Sequence, residues 1–206
     1  MGDVKVFVVA LPGSGKSTTL SKLSEMMPEV KVVNFGDLMY EEARHTYGIN
    51  HRDDMRRILN IIHYRELQVR AAKRIADMNG IVVIDTHSIV KTPWGFYPGL
   101  PSEVVRIVKP DAVIHLEYRP EDILKRRMKD AAERKRGDED TVEIEKDQRI
   151  SRQFAIAAAN EAMSYLLILS YEYEQQYPYQ HAEEAAKDIA NIIRTLSEKK
   201  NSTQHH

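Results

Sequence analysis

Val4-Lys5-Val6-Phe7-Val8-Val9-Ala10-Leu11-Pro12-Gly13-Ser14-Gly15-Lys16-Ser17-Thr18 is the stretch that decides the fold. Its first seven residues are β-branched and almost wholly apolar, as in a strand covered on both faces of a parallel sheet. Leu11 to Gly15 reads as a turn. From Lys16 onward Leu20, Leu23 and Met27 recur at helical spacing. Strand, glycine-rich turn and helix in that order are the setting of a phosphate-binding loop. Residues 10–17 match its pattern of Gly, four residues, Gly-Lys-Ser/Thr at every position but the first. Ala10 stands there, the smallest replacement for glycine, and it is tolerated where φ stays negative. Ala10, Leu11, Pro12, Gly13, Ser14, Gly15, Lys16, Ser17 and Thr18 are therefore the expected nucleotide-binding residues. Their backbone N–H groups would curl around a phosphate, with the positive end of the following helix aimed at it. Lys16 would reach the β- and γ-phosphates of ATP, and the Ser17 hydroxyl would ligate Mg²⁺. Glycines that merely make a tight turn are the plainer alternative; the flanking strand and helix favour the nucleotide.

Working outward, Val30–Asn34, Ile81–Asp85, Ala112–Glu117 and Leu166–Ser170 read as four more strands. Helical segments separate them: residues 36–78, a helix opening at Pro120, one from Val142 to Met163, and an amphipathic one from Ala182 to Leu196. Lys91–Pro101, with its prolines, glycines and aromatics, reads as a long irregular loop, and the tail after Glu198 as frayed. Strands alternating with helices predict an α/β chain, a three-layer P-loop NTPase fold on a five-stranded parallel sheet. Residues 1–206 are expected to form one domain.

The composition narrows the function. Lysine plus arginine total 30 and aspartate plus glutamate 31, a net charge of −1. That balance argues against a dedicated nucleic-acid or anionic-membrane binder. Cysteine is absent, which removes disulfides, thiol catalysis and iron–sulfur clusters. No apolar run approaches the ~20 residues a membrane span needs. The apolar run Val4–Leu11 is broken by Lys5 and leads into a turn, unlike a secretory leader. A cytoplasmic location is the expectation.

Ile81-Val82-Val83-Ile84 is wholly apolar and ends in Asp85. In a P-loop fold a carboxylate at a neighbouring strand end can hold Mg²⁺ through its water shell. Capping of the next segment is the alternative.

Four further blocks follow in order: Asn34-Phe35-Gly36-Asp37-Leu38-Met39; Arg52-Asp53-Asp54-Met55-Arg56-Arg57; Asp85-Thr86-His87; and Lys91-Thr92-Pro93-Trp94-Gly95-Phe96-Tyr97-Pro98-Gly99-Leu100-Pro101. Together they resemble the archaeal type of adenylate kinase, a branch of the nucleoside monophosphate kinases, over residues 4 to about 140. The resemblance implies reversible phosphoryl transfer from Mg·ATP to AMP, giving two ADP. It implies a helical monophosphate-binding arm at about 36–75 and a short lid at about 133–141. Gly36 would let the arm backbone approach AMP, and Arg56 would hold its phosphate. Lys91 falls where related sequences often carry arginine, keeping the charge without the bidentate fork. Relatives of this type can be trimeric, so a homo-oligomer is possible.

Pro120–Arg136 is rich in cations, some of them in i,i+4 pairs such as Asp122–Arg126. Phosphoryl transfer gives such a cluster a second use, since arginines from a closing segment neutralise phosphate oxygens and exclude water. The resemblance places Arg126 on a phosphate and Arg134 and Arg136 at the lid. With Lys16 they form the expected catalytic set. Arg52, Arg56 and Arg57 could instead be a solvated helix face. Trp94, the single tryptophan, would report acceptor binding if its loop lines that site. Rival functions are a kinase for another monophosphate or small acceptor, and a nucleotide-dependent regulatory protein.

Overall fold

Val4, Val6 and Val8 point to one face of a sheet, Phe7 and Val9 to the other, and all five are fully buried. This period-two burial on both faces follows from the apolar run at the start of the chain. The computed structural model describes residues 3–52, 54, 55, 59–131 and 140–203. Along them run β1 (Val4–Val9), α1 (Lys16–Met26), β2 (Lys31–Asn34), α2 (Phe35–Tyr47), α3 (Ile61–Ala76), β3 (Ile81–Thr86), β4 (Ile89–Thr92), β5 (Gly95–Pro98), α4 (Ser102–Val108), β6 (Ala112–Tyr118), α5 (Pro120–Ala131), α6 (Thr141–Ala162), β7 (Tyr165–Tyr171) and α7 (Gln180–Thr203).

Five strands form one parallel sheet in the order β2-β3-β1-β6-β7. Leu20 and Leu23 of α1 pack with Ala185, Ile189 and Ile193 of α7 against the first face. Leu67 and Ala71 of α3, Val104 and Val105 of α4, and Ala155 and Ala158 of α6 pack against the second. This is the α/β P-loop NTPase architecture the sequence predicts. Because the strands are parallel, their C-terminal ends share one edge, where ligands bind in open α/β sheets.

Four details differ from the sequence reading. The segment 36–78 is not continuous helix. Gly48 ends α2 in the left-handed region at φ 64°, and the Asn60 side chain caps α3 by accepting the His63 N–H. The expected irregular loop at 91–101 contains an antiparallel hairpin, β4 with β5, turned through Pro93 and Trp94. Its prolines sit at the turn and at the end of β5, where no ladder donor is lost. Finally, α4 was not expected, and α7 runs to Thr203 without fraying at Glu198. Gly99 closes the hairpin onto β3: its N–H donates to Ser88 O at 2.8 Å. A Cβ at residue 99 would stand inside the His87 carbonyl, so the approach demands glycine.

β6 buries a polar set on the second face. His115 and Glu117 follow Val113 there, while Ile114, Leu116 and Tyr118 face the other side. His115 Nε2 lies 2.9 Å from Ser151 Oγ of α6, which lies 2.7 Å from Ser88 Oγ. On its other side His115 Nδ1 is 3.1 Å from Glu117. Arg152 donates to both Glu117 oxygens, through Nε at 2.6 Å and through Nη2, and Ser170 donates to it at 3.0 Å. Burial alone would raise the Glu117 pKa; the hydrogen bonds from His115 and Arg152 overcome it and hold the carboxyl at about 2.

A depressed carboxylate pKa stabilises the fold above the unfolded value near 4.5, and that stability is lost as pH falls towards 2. Arg152→Ala removes the guanidinium, so the folded pKa should rise and the acid-unfolding midpoint should move to higher pH. The cost at pH 7 should be about 2 kcal/mol, as for a hydrogen bond to a buried charge. Circular dichroism followed from pH 7 to pH 2 measures both; an unmoved midpoint would show that Arg152 does not hold Glu117 in solution.

Candidate active site

At the edge where the strands end, β1 runs into the phosphate loop. Gly13 at φ 77° and Gly15 at φ 90° occupy the left-handed region that L side chains avoid. Ala10 does not, which is why alanine serves there. Alternate carbonyls of the loop are held from outside. His87 Nδ1 is 2.6 Å from Ala10 O, Arg127 Nε donates to Pro12 O at 2.9 Å, and Arg126 Nη1 donates to Ser14 O at 2.7 Å. The N-terminus of α1 opens at Gly15.

Lys16 is buried and pairs with Asp85 at the end of β3. Burial, and then the positive charge of Arg52, lower the Lys16 pKa to about 7. A carboxylate or phosphate in contact with it favours the charged form. The strand register brings the partner there, since Asp85 stands opposite Val8 on β1 and opposite Asn34 on β2. Asn34 Nδ2 donates to Asp85 Oδ2 at 2.9 Å. Its Oδ1 caps α2 by accepting the Asp37 N–H at 3.0 Å and takes Arg52 Nη2 at 3.1 Å. Arg52 is also paired with Asp37 at 2.6 Å. Its guanidinium lies where a Cβ on Gly36 would stand.

These groups border one cavity of about 980 Å³. One wall is the loop from Leu11 to Thr19 with Asp85 and His87. A second is Gly36, Met39, Arg52, Met55 and Tyr64. A third is Tyr118, Asp122, Lys125, Arg126 and Lys129, with Gln175, Pro178, Tyr179 and Ala182 before and at the start of α7. Arg126 lies 4.9 Å from the centre of the Tyr118 ring and 3.3 Å from His181 Nδ1. Burial, and then the Arg126 charge, lower the His181 pKa. The neutral ring accepts from Arg126 at Nδ1 and donates from Nε2 to Tyr173 O at 2.9 Å.

The structure thus gathers Leu11 to Thr18, Gly36, Asp85 and Arg126 around one space; Ala10 lies outside its lining and is tied to it by the contact of its carbonyl with His87. Lys91 does not line that space. Its ammonium pairs with Glu143 at 2.6 Å and Asp147 at 3.0 Å at the start of α6. Arg56, Arg134 and Arg136, and most of the expected lid, lie outside the described residues. Sequence reasoning missed Asn34 and His181 and left Arg52 as a possible solvated face. The strand-end position of Asn34 just before the Gly36-Asp37 block was the available signal. His181 had none.

The fold and this loop define a P-loop NTPase. A solved shikimate kinase from Acinetobacter baumannii, in complex with shikimate, superposes with a TM-score of 0.56 over 93% of each chain, at 15% identity. A family model described as an AAA domain matches residues 9–145. The adenylate kinase of Pyrobaculum aerophilum is 44% identical over 191 residues, covering 92% of this chain and 96% of its own length. That of Pyrococcus horikoshii is 37% identical, covering 91% and 94%. The chain belongs to the adenylate kinase family.

Trp94 occupies the hairpin turn and is 96% exposed. It does not border the cavity, so the condition under which it would report acceptor binding is not met in this structure. Its emission should be that of a water-exposed indole, and acrylamide should quench it equally with and without AMP. A saturable blue shift on adding AMP alone would place the hairpin against the nucleotide.

Proposed function

We infer that the chain catalyses reversible transfer of the γ-phosphoryl group of Mg·ATP to AMP, giving two ADP. One observation carries the reading: a single cavity joins the phosphate loop to a second, arginine-bearing recess at the start of α2. A hydrolytic switch needs one phosphate site, whereas transfer between two phosphates needs two that face each other. A phosphate oxygen of AMP bonds to the γ-phosphorus as its bond to the β-phosphate oxygen breaks. The acceptor is already anionic, so no covalent intermediate or general base is required, and catalysis is positioning and charge neutralisation.

Loop amides and Lys16 hold the β- and γ-phosphates. On their arrival the Lys16 ammonium exchanges Asp85 for phosphate oxygens, which leaves the carboxylate for the metal. Ser17 and Asp85, the latter through water, are hard oxygen donors bordering the same cavity and fit Mg²⁺. Among the described residues no cluster of three or more acidic, histidine or cysteine side chains could hold a metal by itself. Bound together with the nucleotide, such an ion would offset the charge of the phosphate oxygens. Arg126 neutralises the transferring group, and Arg134 and Arg136 join it from the lid at 133–141. On the acceptor side Gly36 admits the AMP phosphate and Arg56 and Arg52 bind it. Lys91 reaches that phosphate only if it leaves Glu143 and Asp147. Use of ATP and AMP is compatible with the cytoplasmic location proposed for the chain. Among the described residues no helix is long and apolar enough to cross a membrane. A homo-oligomer would use the open edge of β7, the last strand of the sheet.

The test is ADP formation from Mg·ATP with AMP, CMP, UMP and GMP in turn, with the wild type and Lys16→Met. AMP should be the best acceptor, and Lys16→Met should lose roughly 10²-fold or more in kcat with its helix content unchanged. Preference for another acceptor would overturn the AMP assignment. Acceptor-independent hydrolysis, or full turnover without Lys16, would overturn the transferase mechanism.

A further inference from the structure

Asn34 ends β2 and begins α2, and its carboxamide faces three partners at once. Each partner admits one orientation only. The Asp85 carboxylate can only accept, so the NH₂ end of Asn34 must face it, at 2.9 Å. The Asp37 N–H and the Arg52 guanidinium can only donate, so the carbonyl end must face them, at 3.0 and 3.1 Å. One side chain therefore serves as helix cap, as guanidinium acceptor and as donor to the carboxylate that pairs with Lys16. A helix cap alone needs only an oxygen, and Asp, Ser or Thr supplies one as well as Asn does. The second task needs a donor on the same short side chain. Aspartate has none, and a serine hydroxyl lacks the reach to serve the cap and Asp85 together.

We propose that Asn34 is a positioning residue for phosphoryl transfer: it fixes the Asp85 carboxylate for the metal-bearing donor and ties that orientation to the helix that begins the acceptor recess. The inference rests on the transfer reaction proposed above. The register favours it, because Asn34 and Asp85 are direct partners across β2 and β3. The electrostatics favour it as well. When Lys16 turns from Asp85 to a phosphate, Asn34 remains as a fixed donor to that carboxylate. Without it the carboxylate would be free to follow Lys16 or to turn towards Arg52.

Asn34→Asp and Asn34→Ser separate the two tasks. Both keep an oxygen for the Asp37 N–H, so thermal unfolding of Asn34→Ser should stay close to wild type, while Asn34→Asp should lose some stability to the second carboxylate. Both lose the donor to Asp85, and Asn34→Asp also sets a second carboxylate against it. Each should lose roughly 10-fold or more in kcat at saturating Mg·ATP and AMP, as for a lost hydrogen bond to a charged group. Asn34→Asp should be the worse of the two, and both KM values should move less than the rate. Wild-type kcat in either variant would reduce Asn34 to a cap and overturn the proposal. A rise confined to the KM for AMP would also overturn it, by showing that Asn34 acts through Arg52 alone. Should Asn34→Asp unfold, the same criteria apply to Asn34→Ser, which adds no charge. The wild type is assayed first: inactivity there refutes the transfer reaction and this role with it, whereas an active wild type with an active variant refutes the role alone.

Discussion

The site depends on a charge pair that the fold keeps away from water. Lys16 and Asp85 are both buried at the ends of adjacent structural units, one just past β1 and the other on β3. Removing two charges from solvent is costly unless each is paired and further hydrogen-bonded. Several constraints follow. The registers of β1 with β3 and of β3 with β2 are fixed, because one step of slip would turn Asp85 to the opposite face. The strand carrying Asp85 must be apolar on both sides, as Ile81 to Ile84 are. A group other than lysine must also hold the carboxylate, and Asn34 does so.

The end of β3 serves as an anchor for neighbouring elements. Asp85 meets α1 through Lys16 and β2 through Asn34. Two residues on, His87 reaches the Ala10 carbonyl of the phosphate loop. Ser88 donates to the Ser151 carbonyl of α6 at 2.8 Å and accepts the Gly99 N–H of the hairpin loop. Ser151 continues to His115, Glu117 and Arg152. The position of α6, the helix that follows the expected lid, is thus tied to the strand end that borders the cavity. Buried polar networks of this kind specify one arrangement strongly because any missing partner leaves a desolvated group behind.

Local pattern made the sheet and the phosphate loop legible in the sequence. An apolar strand, a turn with two glycines and a lysine at a helix start are contiguous, so their reading needs no tertiary information. Asp85 was legible for the same reason, as the one charge closing an apolar run. The hairpin at 89–98 was not. Its proline-rich turn resembles loop by composition, and its pairing depends on Gly99 fitting beneath the His87 carbonyl. Lys91 went astray because charge at a matching position carries no direction; the carboxylates that engage it, Glu143 and Asp147, lie more than fifty residues away in the chain. Asn34, Arg52 and His181 are isolated polar residues whose meaning comes only from neighbours brought up by the fold.

The loop's capacity for phosphate also comes from residues outside its motif. Ala10, Pro12 and Ser14 each have their carbonyl held by a side chain, His87, Arg127 and Arg126 respectively. No peptide bond among the described residues is cis. In a planar trans peptide the C=O and the following N–H point in opposite directions. Fixing those three carbonyls therefore aims the N–H groups of Leu11, Gly13 and Gly15 the other way. Glycine at 13 and 15 permits this alternation by accepting positive φ, but it does not enforce it, because glycine is the most mobile of residues. The neighbouring guanidiniums and imidazole supply the enforcement. Arg127 fills the space over Gly13 that a side chain there would need, and Arg126 approaches Gly15. Electrostatic preorganisation of this sort aligns the amide dipoles before the anion arrives, so the ligand need not reorganise them. The basic helix α5 accordingly does more than border the cavity: it also holds the backbone of the phosphate loop.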